Sequence, residues 1–254
     1  VSRSRWLRIL SRTLIALLAF IVVSFVALQV ASDPLPDGQS GADADALAHA
    51  IERAVRLDAW NATGAVRWTF AGRNRHLWDK ARGLHHVRWG DHEVVLQLGS
   101  QKGCARSGGA LQSGERAQAL VDKAYALWVN DSFWLNPLGK LFDPGVVRKR
   151  VSVEGRGEGL LITFTANGLT PGDSYLWWVD AQGLPNAWQM WTVIPIGGLE
   201  TSWDGWIELE TGARISTRHE IWGMSLELGD VAGASTLDGL LGSAENPFDW
   251  CKVW

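Results

Sequence analysis

Residues 174–194 read SYLWWVDAQGLPNAWQMWTVI. Two apolar runs flank Asp180-Ala181-Gln182-Gly183, the punctuation of a tight turn. Side chains alternate across a strand. Tyr175, Trp177 and Val179 therefore share one face, and Leu176 and Trp178 the other. Trp188 and Met190 likewise alternate with Trp191 and Val193. An antiparallel sheet with a wet side alternates apolar with polar residues. This one carries bulky apolar groups on both faces and needs a cover on each, such as helices on one and lipid or a ligand on the other.

Working outward, strand candidates follow at Arg150–Val153, Leu160–Ala166, Ser174–Asp180, Ala187–Ile194, Trp203–Leu209, Ile215–Ile221 and Met224–Leu228. Thr170-Pro171-Gly172-Asp173, Gly197-Gly198 and Thr211-Gly212 supply further turns. Upstream, the apolar spacing predicts an amphipathic helix from Asp43 to near Trp60. Strands are expected at Ala65–Phe70, His85–Trp89 and Glu93–Leu98, a loop over Ser100–Gly114, a helix over Glu115–Val129, and irregular chain over Asn130–Gly145. The expected fold is α+β: a single antiparallel meander sheet, curled into a half-open barrel, packed with two helices and preceded by an N-terminal transmembrane helix.

Arg3, Arg5, Arg8 and Arg12 precede Leu14–Ala31, LIALLAFIVVSFVALQVA. At ~1.5 Å per residue that stretch spans about 27 Å, enough for a hydrocarbon core. No Lys or Arg follows until Arg53, so the positive-inside rule leaves the N-terminus in the cytoplasm and the rest outside. Cleavage after Ala31 would place Gln29 at the −3 position, where a small residue belongs. An uncleaved signal anchor therefore fits better than a cleaved signal peptide. The organisation expected is an anchor at 1–32, a linker at 33–42 and a half-barrel domain at 43–254, on the extracytoplasmic side of a bacterial inner membrane.

The chain has 254 residues, 46% hydrophobic and 20% charged, which excludes wholesale disorder. The first 32 residues hold four Arg and no acid, leaving 20 basic against 27 acidic residues, a net −7. That balance argues against nucleic acid as a partner and against membrane attachment through a basic face. Cys104 and Cys251 are the only cysteines. In an oxidising compartment they can pair and pin the tail to the body, or stand as two separate thiols.

Tryptophan is the compositional outlier, with 16 residues against seven Phe and two Tyr. An indole offers an apolar body and one N–H donor. It suits an acyl-chain cavity, a membrane interface or a sugar platform, and also plain core filling. The candidate cavity-lining or lid residues are Phe133, Trp134, Tyr175, Trp177, Trp188, Met190 and Trp206.

The order of helix, strands, second helix and long meander is similar to the LolA/LolB-like periplasmic lipoprotein-carrier fold. Residues 175–191, YLWWVDAQGLPNAWQMW, resemble that superfamily's strand-turn-strand. More narrowly, VNDSFWLNP (129–137), FDPG (142–145), LTPGDSYLWWVD (169–180) and GLP (183–185) resemble a set of uncharacterised bacterial envelope proteins. The resemblance implies a half-open barrel closed by helices, with an apolar cavity for acyl chains. A retained anchor departs from freely shuttling carriers and implies a tethered lipid-handling module.

Polar clusters point less sharply. Asn130, Asp131, Asn136 and Asp143 read as turn formers, or as a lid carrying Phe133 and Trp134. Asp173 and Asp180 end one strand about 23 Å apart, too far for an acid/base pair. His85 and His86 are adjacent and point to opposite faces, so only one can join His92, which is short of a closed zinc set. No nucleophile elbow, metalloprotease helix or phosphate loop is present in the sequence. The expectation is a non-catalytic, membrane-tethered binder of a lipid or lipoprotein acyl group, without cofactor or metal. The alternatives are a structural or interaction module of the envelope with a packed tryptophan core, and a carbohydrate-binding module.

Overall fold

The computed structural model describes residues 32–166, 171–193 and 196–252, with Trp6, Thr13, Leu17, Phe20 and Val23. Among the described residues no helix is long and apolar enough to cross a membrane. The anchor expected over 1–32 lies almost wholly outside them.

The helix expected from Asp43 is two helices, α1 (Ala42–Ala54) and α2 (Leu57–Ala62). Arg56 breaks it by taking a left-handed conformation with φ 54°. Strands β1 (Ala65–Phe70), β2 (Asn74–Asp79), β3 (Leu84–Trp89), β4 (His92–Gln97), β5 (Lys102–Ser107) and β6 (Ala110–Leu111) then form a meander. Helix α3 (Gly114–Leu135) follows and runs through the NDSFWL stretch expected to be irregular. It stops there because Asn136 precedes Pro137, which disfavours helical backbone at the residue before it. Asn136 accordingly has φ −156° and ψ 76°, and a short 3-10 helix, Pro137–Lys140, follows.

The second half holds β7 (Val146–Val153), β8 (Gly157–Phe164), β9 (Ser174–Val179), β10 (Pro185–Trp191), β11 (Leu199–Ser202), β12 (Ile207–Glu208), β13 (Arg214–Ile215), β14 (Arg218–Ile221) and β15 (Met224–Ala234), and α4 (Leu237–Leu241) closes it. The class is α+β with a large antiparallel sheet, but the single curled meander is not what forms. The strands divide into an eight-stranded sheet, β14-β15-β1-β2-β3-β4-β5-β6, a five-stranded sheet, β11-β10-β9-β8-β7, and the pair β12-β13. None of the three closes on itself. The reason is that β15 returns to pair with β1, Ala65 opposite Ala234, and takes the end of the chain out of the second sheet. The two large sheets meet edge to edge at β11 and β14, where an isolated bridge pairs Asp204 with Arg218.

Helix α3 joins the layers. Val121 and Ala124 pack on Val87, Val94, Leu96 and Ala105 of the eight-stranded sheet. At the other end Phe133 and Trp134 pack on the inner face of the five-stranded sheet, with Ala48, Ile51 and Val55 from α1 and its C-terminal flank. On the opposite face of the eight-stranded sheet, Leu77, Leu84 and Val95 are covered by Leu237, Phe248 and Cys251. Cys251 is bonded to Cys104, with Cα atoms 5.7 Å apart. Such bridges persist in oxidising compartments, and this one points to an extracytoplasmic domain.

Candidate functional site

The five-stranded sheet presents its aromatic face inward because its register aligns like with like. Trp188 stands opposite Trp177, and Met190 opposite Tyr175. Leu160 and Ile162 continue the row on β8, opposite Trp177 and Tyr175. Trp203, just beyond β11, and Trp206 complete it. All seven residues singled out from the sequence fall in this one cluster: Tyr175, Trp177, Trp188 and Met190 are buried, and Phe133, Trp134 and Trp206 are partly buried against them.

The rings interlock. Trp188 lies 4.8 Å from Trp177, 4.9 Å from Tyr175, 5.0 Å from Trp134 and 5.2 Å from Trp203, centroid to centroid. Phe133 stacks at 5.8 Å from Trp188 and reaches Tyr175 at 5.0 Å. Offset and edge-on contacts of this kind are worth about 0.5–1.5 kcal/mol each beyond area burial. Burial and nearby Asp173 push the Tyr175 hydroxyl far above its ordinary range, so it stays protonated.

The cluster also carries unpaired polar atoms. The indole N–H groups of Trp177, Trp188 and Trp203, the Thr201 hydroxyl and His219 Nε2 are buried without a hydrogen-bond partner. His219 packs 4.4 Å from Trp203 and 5.3 Å from Trp134. Its Nδ1 lies 3.2 Å from the Ser202 carbonyl and must be the donor, because a carbonyl only accepts. Nε2 is then a bare acceptor. Burial pushes His219 down to about 4, which keeps the ring neutral near pH 7. A buried polar group left unpaired costs about 1–3 kcal/mol. The shell thus holds three indole donors, one hydroxyl and one bare nitrogen acceptor without protein partners.

A second polar group lies under α3, and no local residue pattern announces it. Asp131, expected as a turn former, is instead buried in the helix. It accepts from Asn74 at 2.7 Å, His76 Nε2 at 2.8 Å and Asn130 at 2.8 Å. His76 Nδ1 meets His85 Nε2 at 3.0 Å. With Nε2 donating to the carboxylate, Nδ1 of neutral His76 accepts and His85 donates, leaving His85 Nδ1 as an unpartnered acceptor. Desolvation lowers both histidines, His85 well below its ordinary value. Trp68 stacks on His76 at 4.4 Å. The alternation rule does place His85 and His86 on opposite faces: His86 bonds Glu93 at 2.9 Å, away from His76. Among the described residues no group of three or more His, Cys, Asp or Glu side chains is arranged to hold a metal.

Two surface hollows lie away from the aromatic cluster. One, of about 380 Å³, is bounded by Arg67, Thr69, Arg75 and Asp230 at the β1–β15 bulge. The other, of about 280 Å³, lies beside Glu208, Glu210 and Leu240.

No family model matches the chain, and no curated protein matches it. Among solved structures it is similar to a DUF1329 family protein from Desulfovibrio piger ATCC 29098, with 12% identity, a TM-score of 0.36, and coverage of 75% of this chain and 92% of that one.

Proposed function

We propose that the domain is a non-catalytic, extracytoplasmic binder of a hydrophobic ligand, a lipid or lipoprotein acyl group, tethered to the membrane by its N-terminal segment. The observation that carries this reading is the aromatic shell with unpaired Trp177, Trp188 and Trp203 donors. An acyl chain suits the indole walls, and its ester or carboxyl oxygens suit the N–H groups. Phe133 and Trp134, on the last turns of α3, form the helical wall of the shell. The two sheets joined at β11 and β14 serve as the half-barrel in this reading, and the LolA/LolB-like resemblance of residues 175–191 agrees with it. Leu17, Phe20 and Val23 are 54%, 69% and 66% exposed, which suits a segment meant for lipid.

The centroid spacings near 5 Å among Trp177, Trp188 and Trp203 favour a second reading, an envelope interaction module whose tryptophans only fill a core. Titration of the full chain in maltoside detergent with palmitate separates the two. Saturable change in tryptophan emission supports a ligand site. Emission unaltered by palmitate leaves the packed module.

A further inference from the structure

Exposed apolar side chains gather where the chain enters the folded domain. Ser32 Oγ accepts from the Gly197 amide at 2.7 Å, and the Asp33 amide donates to the Gly197 carbonyl at 2.9 Å. The Trp191 indole donates to the Asp33 carbonyl at 2.9 Å. Only glycines permit this approach: a Cβ on Gly197 would meet Trp191 at 2.6 Å, and one on Gly198 would meet the Asp33 Cβ at 2.7 Å. The apolar N-terminal segment thus joins the domain beside the β10–β11 connection. In that connection Val193 is 80% exposed.

The β14–β15 hairpin points to the same end. The Glu220 amide donates to Ser202 Oγ at 3.0 Å, and the Asp204–Arg218 bridge fixes the strands as antiparallel. Beyond that contact, β14 runs forward to Trp222 while β11 runs back to Leu199 and the Gly197-Gly198 turn. The hairpin turn is Trp222-Gly223, with φ 49° and 74°. Two positive φ values in a two-residue turn call for Asn-Gly or Gly-Gly. A bulky residue at the first position is strained. Trp222 is nevertheless there, 68% exposed, with Met224 64% exposed beside it. Neither the turn nor the core needs that indole.

We propose that the Trp222–Met224 tip, with Val193, seats in the interface of the bilayer that holds the N-terminal segment. Tryptophan's apolar body and single donor suit the headgroup level. The domain's surplus of acids excludes a mainly electrostatic attachment, so the seat is apolar. The consequence is a fixed orientation: the β11–β14 end of the aromatic cluster faces lipid, and β6 faces away. The proposal rests on the membrane tether of the preceding reading, but not on the acyl ligand.

The test uses the full chain in phosphatidylcholine vesicles with a nitrobenzoxadiazole label on Met224→Cys, compared with the same label on Leu111→Cys at the far sheet edge. The label at 224 should be quenched by lipid with a nitroxide high on its acyl chain, within the ~5–10 Å depth of interfacial side chains, and salt should not reverse it. The label at 111 should stay unquenched. Adding Trp222→Asn should raise the melting temperature, because Asn tolerates the left-handed turn, and yet lose the quenching at 224; a purely structural Trp222 would lower it. A chain that floats with the vesicles while position 224 stays as unquenched as 111 overturns the seat and leaves the tether standing. A chain that does not float overturns both.

Discussion

His76 Nε2 donates to Asp131 Oδ2 at 2.8 Å, with the two side chains 0% and 1% exposed. The bond ties the C-terminal part of α3 to β2 and fixes where Phe133 and Trp134, two and three residues on, meet the aromatic sheet. Removing the carboxylate strands three donors, from Asn74, His76 and Asn130. Leaving a buried donor unpaired costs about 1–3 kcal/mol. Asp131→Ala should therefore lower unfolding stability by that order in urea titration, and Asp131→Asn, which keeps one acceptor, by less.

Acid should act through the buried histidines. His76, His85 and His219 all have native values below the ordinary 6.5, with burial as the first cause, and His219 lies at about 4. The unfolded chain then binds protons that the native state refuses. Stability is fully present above pH 6.5 and is lost as pH falls from there toward 4. Melting temperature measured from pH 8 to 4 should be flat at first and then fall. His219→Gln should make the fall shallower.

The Cys104–Cys251 bridge spans 147 residues of sequence. In the chain-entropy model closing such a loop stabilises by about 5 kcal/mol. Reduction, or the double change Cys104→Ser with Cys251→Ser, should lower the melting temperature and free the tail around Phe248 and Trp250 from Leu77 and Val95. Thiol titration of the unreduced, denatured chain should find no free thiol.

Trp203→Phe separates packing from binding. The change keeps the aromatic body and deletes an N–H that has no protein partner. Stability of the ligand-free chain should hold or rise by about 1 kcal/mol, because an unpaired buried donor is relieved. Palmitate should bind several-fold more weakly. By contrast, Trp188→Ala removes the centre of the ring network and should cost about 3–5 kcal/mol.

Much of the aromatic sheet was legible because alternation is local: Tyr175, Trp177 and Val179 could be placed on one face from spacing alone. Strand β2 was not, since Asn74–Asp79 alternates with His76 and Trp78 in a mixed-polarity run and its buried histidine looks polar until Asp131 is placed over it. The loop expected over Ser100–Gly114 hides β5 for a similar reason: Gly103 packs against Leu96 in the sheet, where a Cβ would approach the Val95 carbonyl to 2.3 Å. The division into two sheets depends on β15 pairing with β1, a contact between chain ends that no local pattern encodes. The strained Trp222 turn was equally hidden, because Trp-Gly is no recognised turn signature.

Whether the Trp177–Trp188–Trp203 shell holds an amphiphile is decided by native mass spectrometry of the full chain, extracted from membranes in mild detergent. A population heavier than the chain by one lipid or acyl mass is expected, diminished in Trp203→Phe. A single peak at the bare chain mass, unchanged when palmitate is added, would contradict it.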